Sequence, residues 1–283
     1  MFRKTNLFSP RLVAIATLAA VGAFGMAPSA PAIAAGQEAL DQMPEPIRQD
    51  LSFKLPQGQS IEVDNPYGSV FIRFGGYEDQ LDIRATIQQP EGVATRFAFA
   101  PGERDGRFVV APRLPDGVAL AEAQRIDLVL YVPKGHAVRA RTGIGGIESR
   151  GAKSDLDLAT VSGEIAVRGT DGTVQAQTDD GRIEVTFEDG ARPGSVQRLA
   201  SRTGLVIANV SDKLNVEAQL TTSQQFATDY SLTVEHLDGQ EPNKRAVAVV
   251  GKPGEGKQKA VLAMESLGGE VRLIRKGVFV DPE

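Results

Sequence analysis

The sequence contains no cysteine, no tryptophan and only two histidines, and its 41% apolar content never gathers into a run long enough to cross a bilayer comfortably. Without cysteine there can be no disulfide framework, no Cys-ligated zinc, no iron–sulfur cluster and no thiol nucleophile. Imidazole chemistry would have to use His136 or His236. Their contexts, Pro133-Lys134-Gly135 before the first and Leu237-Asp238-Gly239 after the second, read as exposed turns. Gly-x-Ser-x-Gly, His-x-x-x-His and Gly-Lys-Ser/Thr are all missing, so no catalytic, cofactor-binding or metal-ligating residue is assigned, and no cofactor is expected. Flat aromatic platforms are few: four tyrosines, Tyr67, Tyr77, Tyr131 and Tyr230.

What is present begins with an export signal. Arg3, Lys4 and Arg11 precede an Ala/Leu/Val-rich stretch, 12–26, that is short for a membrane span, and Ala32-Ile33-Ala34 offers the small residues of a cleavage site. Cleavage is expected after Ala34, leaving a periplasmic or secreted chain without a membrane anchor. The first 34 residues carry three basic and no acidic side chains, so the remainder has 28 Lys+Arg against 36 Asp+Glu, a net charge of −8. Nucleic acid is therefore not an expected partner.

Thirty glycines punctuate the rest. The pattern apolar-x-apolar-x-[Thr/Ser/Asn]-x-x-Gly-x-apolar-x-apolar occurs six times, with turn glycines Gly68, Gly145, Gly163, Gly181, Gly204 and Gly269. Period-two alternation on both sides of a polar-x-x-Gly break predicts two half-buried strands joined by a tight turn. The hydroxyl or amide can bond the turn backbone, and glycine can supply a positive φ there. Two copies are imperfect: Ser149 and Gln197 stand where apolar residues belong.

Thr142, Thr160 and Thr178 are 18 residues apart, as are Gly145, Gly163 and Gly181. A fixed period signals stacking, and two short strands plus two turns fill 18 residues, so the fold expected is all-β, a two-sided β-solenoid of about 18-residue coils. An antiparallel sandwich of successive hairpins is the alternative. Segments 82–87, 95–100, 107–111 and 125–132 read as further, antiparallel strands in the N-terminal half, able to cap one end of the stack. Helix is expected only at 37–42 and 120–124. The domain organisation is a signal peptide at 1–34, a mobile leader at 35–49 and one β-strand-repeat domain at 50–283.

Two groups of side chains could carry function. Arg73, Arg150 and Arg168 each stand five residues after a turn glycine, with Arg139, Arg141 and Arg182 nearby in the repeat frame. Stacked on neighbouring coils, Arg150, Arg168 and Arg182 would form a face for an anionic ligand unless Glu148, Glu164 or Glu184 neutralised it. Asp171, Asp179, Asp180, Glu188 and Asp189 crowd the turns and could build a calcium site or an acid/base pair, although Asp beside Gly is also ordinary turn chemistry.

Val63-Asp64-Asn65-Pro66-Tyr67-Gly68-Ser69-Val70, Tyr131-Val132-Pro133-Lys134-Gly135 leading into Thr142-x-x-Gly145, the tandem Thr-x-x-Gly units and Thr228-Asp229-Tyr230-Ser231-Leu232-Thr233-Val234-Glu235 together resemble the bacterial adhesin-candidate family of β-strand-repeat envelope proteins, similar to auto-transporter adhesin heads. The resemblance implies an exported, right-handed β-helix-like domain of unknown function and no established catalytic residues. Segment 225–228, without a turn glycine, and the insertion at 241–244 depart from the pattern. The resulting expectation is a non-enzymatic module that binds or scaffolds an envelope polymer or envelope protein. A polysaccharide-cleaving β-helix enzyme using turn carboxylates and an accessory of envelope-stress signalling are the competing readings.

Overall fold

The computed structural model describes residues 44–277; the expected signal peptide, the expected helix at 37–42 and most of the leader lie outside the described residues. The first part contains β1 (Ile47–Lys54), β2 (Ile61–Asn65), β3 (Val70–Phe74), β4 (Gln80–Gln88), β5 (Gly102–Arg104), β6 (Arg107–Val110) and β7 (Arg125–Val132). The repeat block supplies β8 (Val138–Ile144), β9 (Ile147–Ala152), β10 (Leu156–Ser162), β11 (Ile165–Thr170), β12 (Val174–Asp180), β13 (Ile183–Phe187), β14 (Val196–Ser201) and β15 (Val206–Val210). Then come β16 (Val216–Thr222), β17 (Phe226–Thr228), β18 (Thr233–His236), β19 (Lys244–Val250), β20 (Val261–Ser266) and β21 (Val271–Arg275).

Successive strands of the repeat block alternate between two mixed sheets. A ten-stranded sheet runs β1-β4-β7-β3-β9-β11-β13-β15-β21-β17, and an eleven-stranded sheet runs β18-β19-β16-β20-β14-β12-β10-β8-β2-β6-β5. Neither closes into a barrel. Within the block the pairing is parallel with Thr142, Thr160 and Thr178 opposite one another, so the 18-residue period of the sequence is the register of the sheet. The alternation decides what goes inside: Leu156 and Leu158 of one sheet and Ile165 and Val167 of the other are at most 1% exposed, within one continuous core.

The turns that join the sheets form a column. Asn65, Thr142, Thr160, Thr178, Ser201, Ser266 and Thr222 are all buried and lie in register across seven strands. The Thr160, Thr178 and Ser201 hydroxyls donate to the carbonyls of Gly145 (3.1 Å), Gly163 (3.2 Å) and Gly181 (2.9 Å), the turn glycines of the preceding modules. These bonds tie neighbouring turns together, and Ser201 and Ser266 also accept from the amides of Gly204 and Gly269 in their own turns (2.8 and 2.9 Å).

The reason for glycine differs from the sequence expectation. Of the six turn glycines only Gly145 and Gly181 have positive φ (97° and 155°). What all six share is crowding: a Cβ on Gly163 would sit 2.6 Å from the Gly145 carbonyl carbon, and those on Gly68, Gly145, Gly181, Gly204 and Gly269 would also meet backbone of an adjacent strand or turn at impossible distances. Stacked turns approach too closely for any side chain.

The N-terminal strands extend both sheets. β1 pairs antiparallel with β4 and β4 with β7, while β7 joins β3, and β6 joins β2, in parallel. β1 begins at Ile47, inside the segment read as leader. Asp105-Gly106 (φ 50° and 75°) closes the β5–β6 hairpin. No strand forms at 95–100, apart from a bridge between Ala98 and Arg113. There the amides of Gln89 and buried Gln124 take the Thr95 carbonyl (3.2 and 2.8 Å), which removes it from any ladder. Segment 120–124 holds a turn and no helix.

The two pattern breaks have different outcomes. Gln197 is buried, and its Oε1 accepts from the Val174 amide at 2.6 Å, standing in for a backbone carbonyl at the start of the β12–β14 ladder. Ser149 is fully buried between Ile72 and Val167 with no partner for its hydroxyl. Burying an unpaired hydroxyl costs about 1–3 kcal/mol, so Ser149→Ala is expected to raise the thermal midpoint by a few degrees. Calorimetry showing a lower midpoint would mean that Ser149 has a bonding role.

The last module is not the last layer. β20 lies between β14 and β16, and β21 between β15 and β17, so the C-terminal module is inserted into the stack. Lys259, just before β20, donates to the Glu217 carboxylate of β16 at 2.7 Å, and Gln219 donates at 3.0 Å. These bonds hold the Glu217 carboxyl below its ordinary 4.5. A depressed carboxyl pKa contributes stability that is present above 4.5 and lost as pH falls through the folded value, so Glu217→Gln is expected to flatten the acid limb of a midpoint-against-pH curve. An unchanged acid limb would remove Glu217 from that account.

Candidate functional site

The outward face of the ten-stranded sheet carries the arginines singled out by the repeat. Arg73 of β3 is opposite Arg150 of β9, and Arg150 is opposite Arg168 of β11. Parallel register places like residues at like positions, so three guanidinium groups begin about one strand spacing, roughly 4.8 Å, apart. That is well inside the Debye length of about 10 Å at 0.1 M salt, so they repel.

One carboxylate serves all three. Glu148, in register with Phe71 of β3 and two residues before Arg150, bonds Arg150 directly and lies 3.4 Å from Arg73 and 3.9 Å from Arg168. Arg73 also lies over the Phe71 ring at 5.7 Å. The side chains of Arg150 and Arg168 remain 52% and 66% exposed against 19% for Glu148, which leaves an accessible local excess of positive charge. Exposed pairs contribute at most about 1 kcal/mol each, so this row is not explained by stability.

The row continues in both directions. Arg73 is opposite Tyr131 of β7, which is 38% exposed, and Arg168 is opposite Thr186 of β13, itself opposite Asn209 of β15. Asn209 donates its amide to Glu184 (3.1 Å) and to the Thr186 hydroxyl oxygen (3.4 Å).

The other arginines go elsewhere. Arg182 bonds Glu184 and is 3.9 Å from Glu164, in the turn just before β13 and four residues, about 13 Å, before Thr186. It is therefore not brought beside Arg150 and Arg168. Arg139 and Arg141 are on the eleven-stranded sheet, where both bond Asp157 at 2.9 Å. The repeat frame already distinguishes these sets, since Arg182 directly follows its turn glycine and Arg139 and Arg141 precede theirs, and in a two-sided stack the strands before and after the turn belong to different sheets.

The turn carboxylates are dispersed among local partners. Asp171 pairs with Lys153 (3.1 Å), Glu188 with Lys276 (3.3 Å), and Asp180 accepts from the Thr203 hydroxyl (2.8 Å). The Ser211 hydroxyl, with Lys213 and Lys276, holds the Asp189 carboxyl below its ordinary 3.8. Among the described residues no group of three or more His, Asp or Glu side chains is placed to hold a metal ion. His136 is 1% exposed rather than a surface turn residue, with Nδ1 2.8 Å from the Gln59 carbonyl, whereas His236 is exposed on β18.

No helix among the described residues is long and apolar enough to cross a membrane. No family model and no curated protein matches the chain. It is similar to the solved structure of a candidate cell adhesion protein from Clostridium sporogenes ATCC 15579, with 10% identity over 82% of this chain and 100% of that one, and a TM-score of 0.45. It is likewise similar to a candidate adhesin from Bacteroides fragilis NCTC 9343, with 9% identity over 80% of this chain and 97% of that one, and a TM-score of 0.43.

Proposed function

We propose that the chain is an exported, non-enzymatic envelope protein, built as a β-solenoid-like stack, that binds or scaffolds an envelope component through the outward face of its ten-stranded sheet. The observation that supports this reading is the register of Arg73, Arg150 and Arg168 around the single carboxylate of Glu148. Like charges directly opposite one another destabilise a sheet. A row that costs stability and stays accessible is readily understood as a binding surface for an anion. The N-terminal sequence, read as a cleavable export signal, supports residence in the periplasm or outside the cell.

Co-sedimentation of the purified protein with peptidoglycan and with outer-envelope fractions, at low and moderate salt, tests this. Saturable binding that falls with salt is expected, and the double variant Arg150→Glu, Arg168→Glu is expected to bind at least tenfold more weakly while keeping its melting midpoint. Equal binding by the variant would take the arginine row out of the function.

A further inference from the structure

The envelope reading leaves the chemistry of the ligand open, and the whole row, not its arginines alone, bears on it. Tyr131, Arg73, Arg150, Arg168, Thr186 and Asn209 are consecutive register partners on six neighbouring strands. At about 4.8 Å per strand this is a track of roughly 24 Å running across the strands. Its ends and its middle differ in chemistry: an exposed aromatic ring at one end, three guanidinium forks in the middle, and a hydroxyl and an amide at the other end.

Resting on the proposal that this face binds the envelope, we infer that the track takes a linear acidic polysaccharide of the polyuronate class, lying across the strands from Tyr131 to Asn209. Guanidinium forks match carboxylates in bidentate geometry, and three of them in a line meet a polymer that repeats its charge better than a single small anion. Tyr131, 38% exposed, offers a flat face on which a sugar ring can stack. Because the Asn209 amide is engaged by Glu184 and Thr186, its carbonyl oxygen and the Thr186 hydroxyl proton are left for sugar hydroxyls. A bound carboxylate would compete with Glu148 for Arg150 and Arg168, which makes binding salt-dependent and moderate in strength. Single-stranded nucleic acid fits less well, since it needs successive stacking rings, and the row has one.

The test is titration of the purified full chain with oligogalacturonates of one, three and six units. The comparators are the fully methyl-esterified hexamer, a polyphosphate chain of similar length and inorganic phosphate. Affinity is expected to rise with oligomer length and to fall at least tenfold for the esterified hexamer and both monomeric anions. The polyphosphate, which can occupy the forks but offers no ring to Tyr131 and no hydroxyls to Thr186 or Asn209, is expected to bind more weakly than the hexamer and to be unaffected by Tyr131→Ala. Arg150→Gln with Arg168→Gln should weaken hexamer binding at least tenfold, and Tyr131→Ala severalfold without changing the salt dependence. Should the glutamine variant unfold, Arg150→Lys with Arg168→Lys keeps the charge and is still expected to bind more weakly because the forks are gone. Equal binding of the neutral ester, equal or tighter binding of polyphosphate, or hexamer binding untouched by the folded arginine variants would each overturn the inference. Failure to bind the hexamer while envelope fractions still sediment with the protein overturns only the ligand class; failure of both removes the envelope reading as well.

Discussion

Gly163→Ala is expected to destabilise the protein by about 3 kcal/mol or more, lowering the thermal midpoint by roughly 10 °C, and Gly163→Val by no less. The obstruction is the first carbon of any side chain. A Cβ at this position would sit 2.6 Å from the Gly145 carbonyl carbon and 3.1 Å from the Gly146 nitrogen, both backbone atoms that cannot rotate away. Relief would require the two stacked turns to separate, breaking the Thr160 hydroxyl bond to the Gly145 carbonyl that joins them. Gly58 provides the contrast: its φ is 76° and nothing lies within 4 Å of an added Cβ, so Gly58→Ala should cost only the left-handed penalty of about 1–2 kcal/mol. Paired calorimetric scans decide the matter. If Gly163→Ala costs no more than Gly58→Ala, the crowded-column account is wrong.

The second large effect concerns chain order. Ending the protein at Val250 removes β20 and β21, and with them the buried side chains of Leu262, Met264, Val271 and Leu273. In a stack laid down strictly in sequence order, this would trim an outer layer. Here it removes the parallel partners of β14 and β15 on one side and of β16 and β17 on the other. It also takes away the Gly269 carbonyl that accepts from the Thr222 hydroxyl at 2.7 Å. The shortened chain is expected to lose cooperative melting and to aggregate through its exposed strand edges. A cooperative midpoint within about 5 °C of the full chain would instead show that β16 and β17 close directly onto β14 and β15. Ser266 and Thr222 do occupy equivalent positions in register, so this competing outcome is structurally concrete.

Local alternation determined a great deal by itself. The period-two pattern of the six modules identified their strands, because side-chain direction along a strand is a local property, and the 18-residue spacing of Thr142, Thr160 and Thr178 gave the pairing register of β8, β10 and β12. The opposition of Arg150 and Arg168 followed from the same spacing. Only the tertiary structure decided the rest. That Tyr131 and Asn209 extend the arginine row and that β20 and β21 enter between earlier modules are matters of strand order, which depends on contacts between residues far apart in the chain. The burial of His136 and the orphaned hydroxyl of Ser149 are likewise consequences of what packs over them. The turn glycines show the division most clearly: their positions were legible in the sequence, but their necessity comes from the backbone of the next turn, a neighbour that exists only once the chain has stacked.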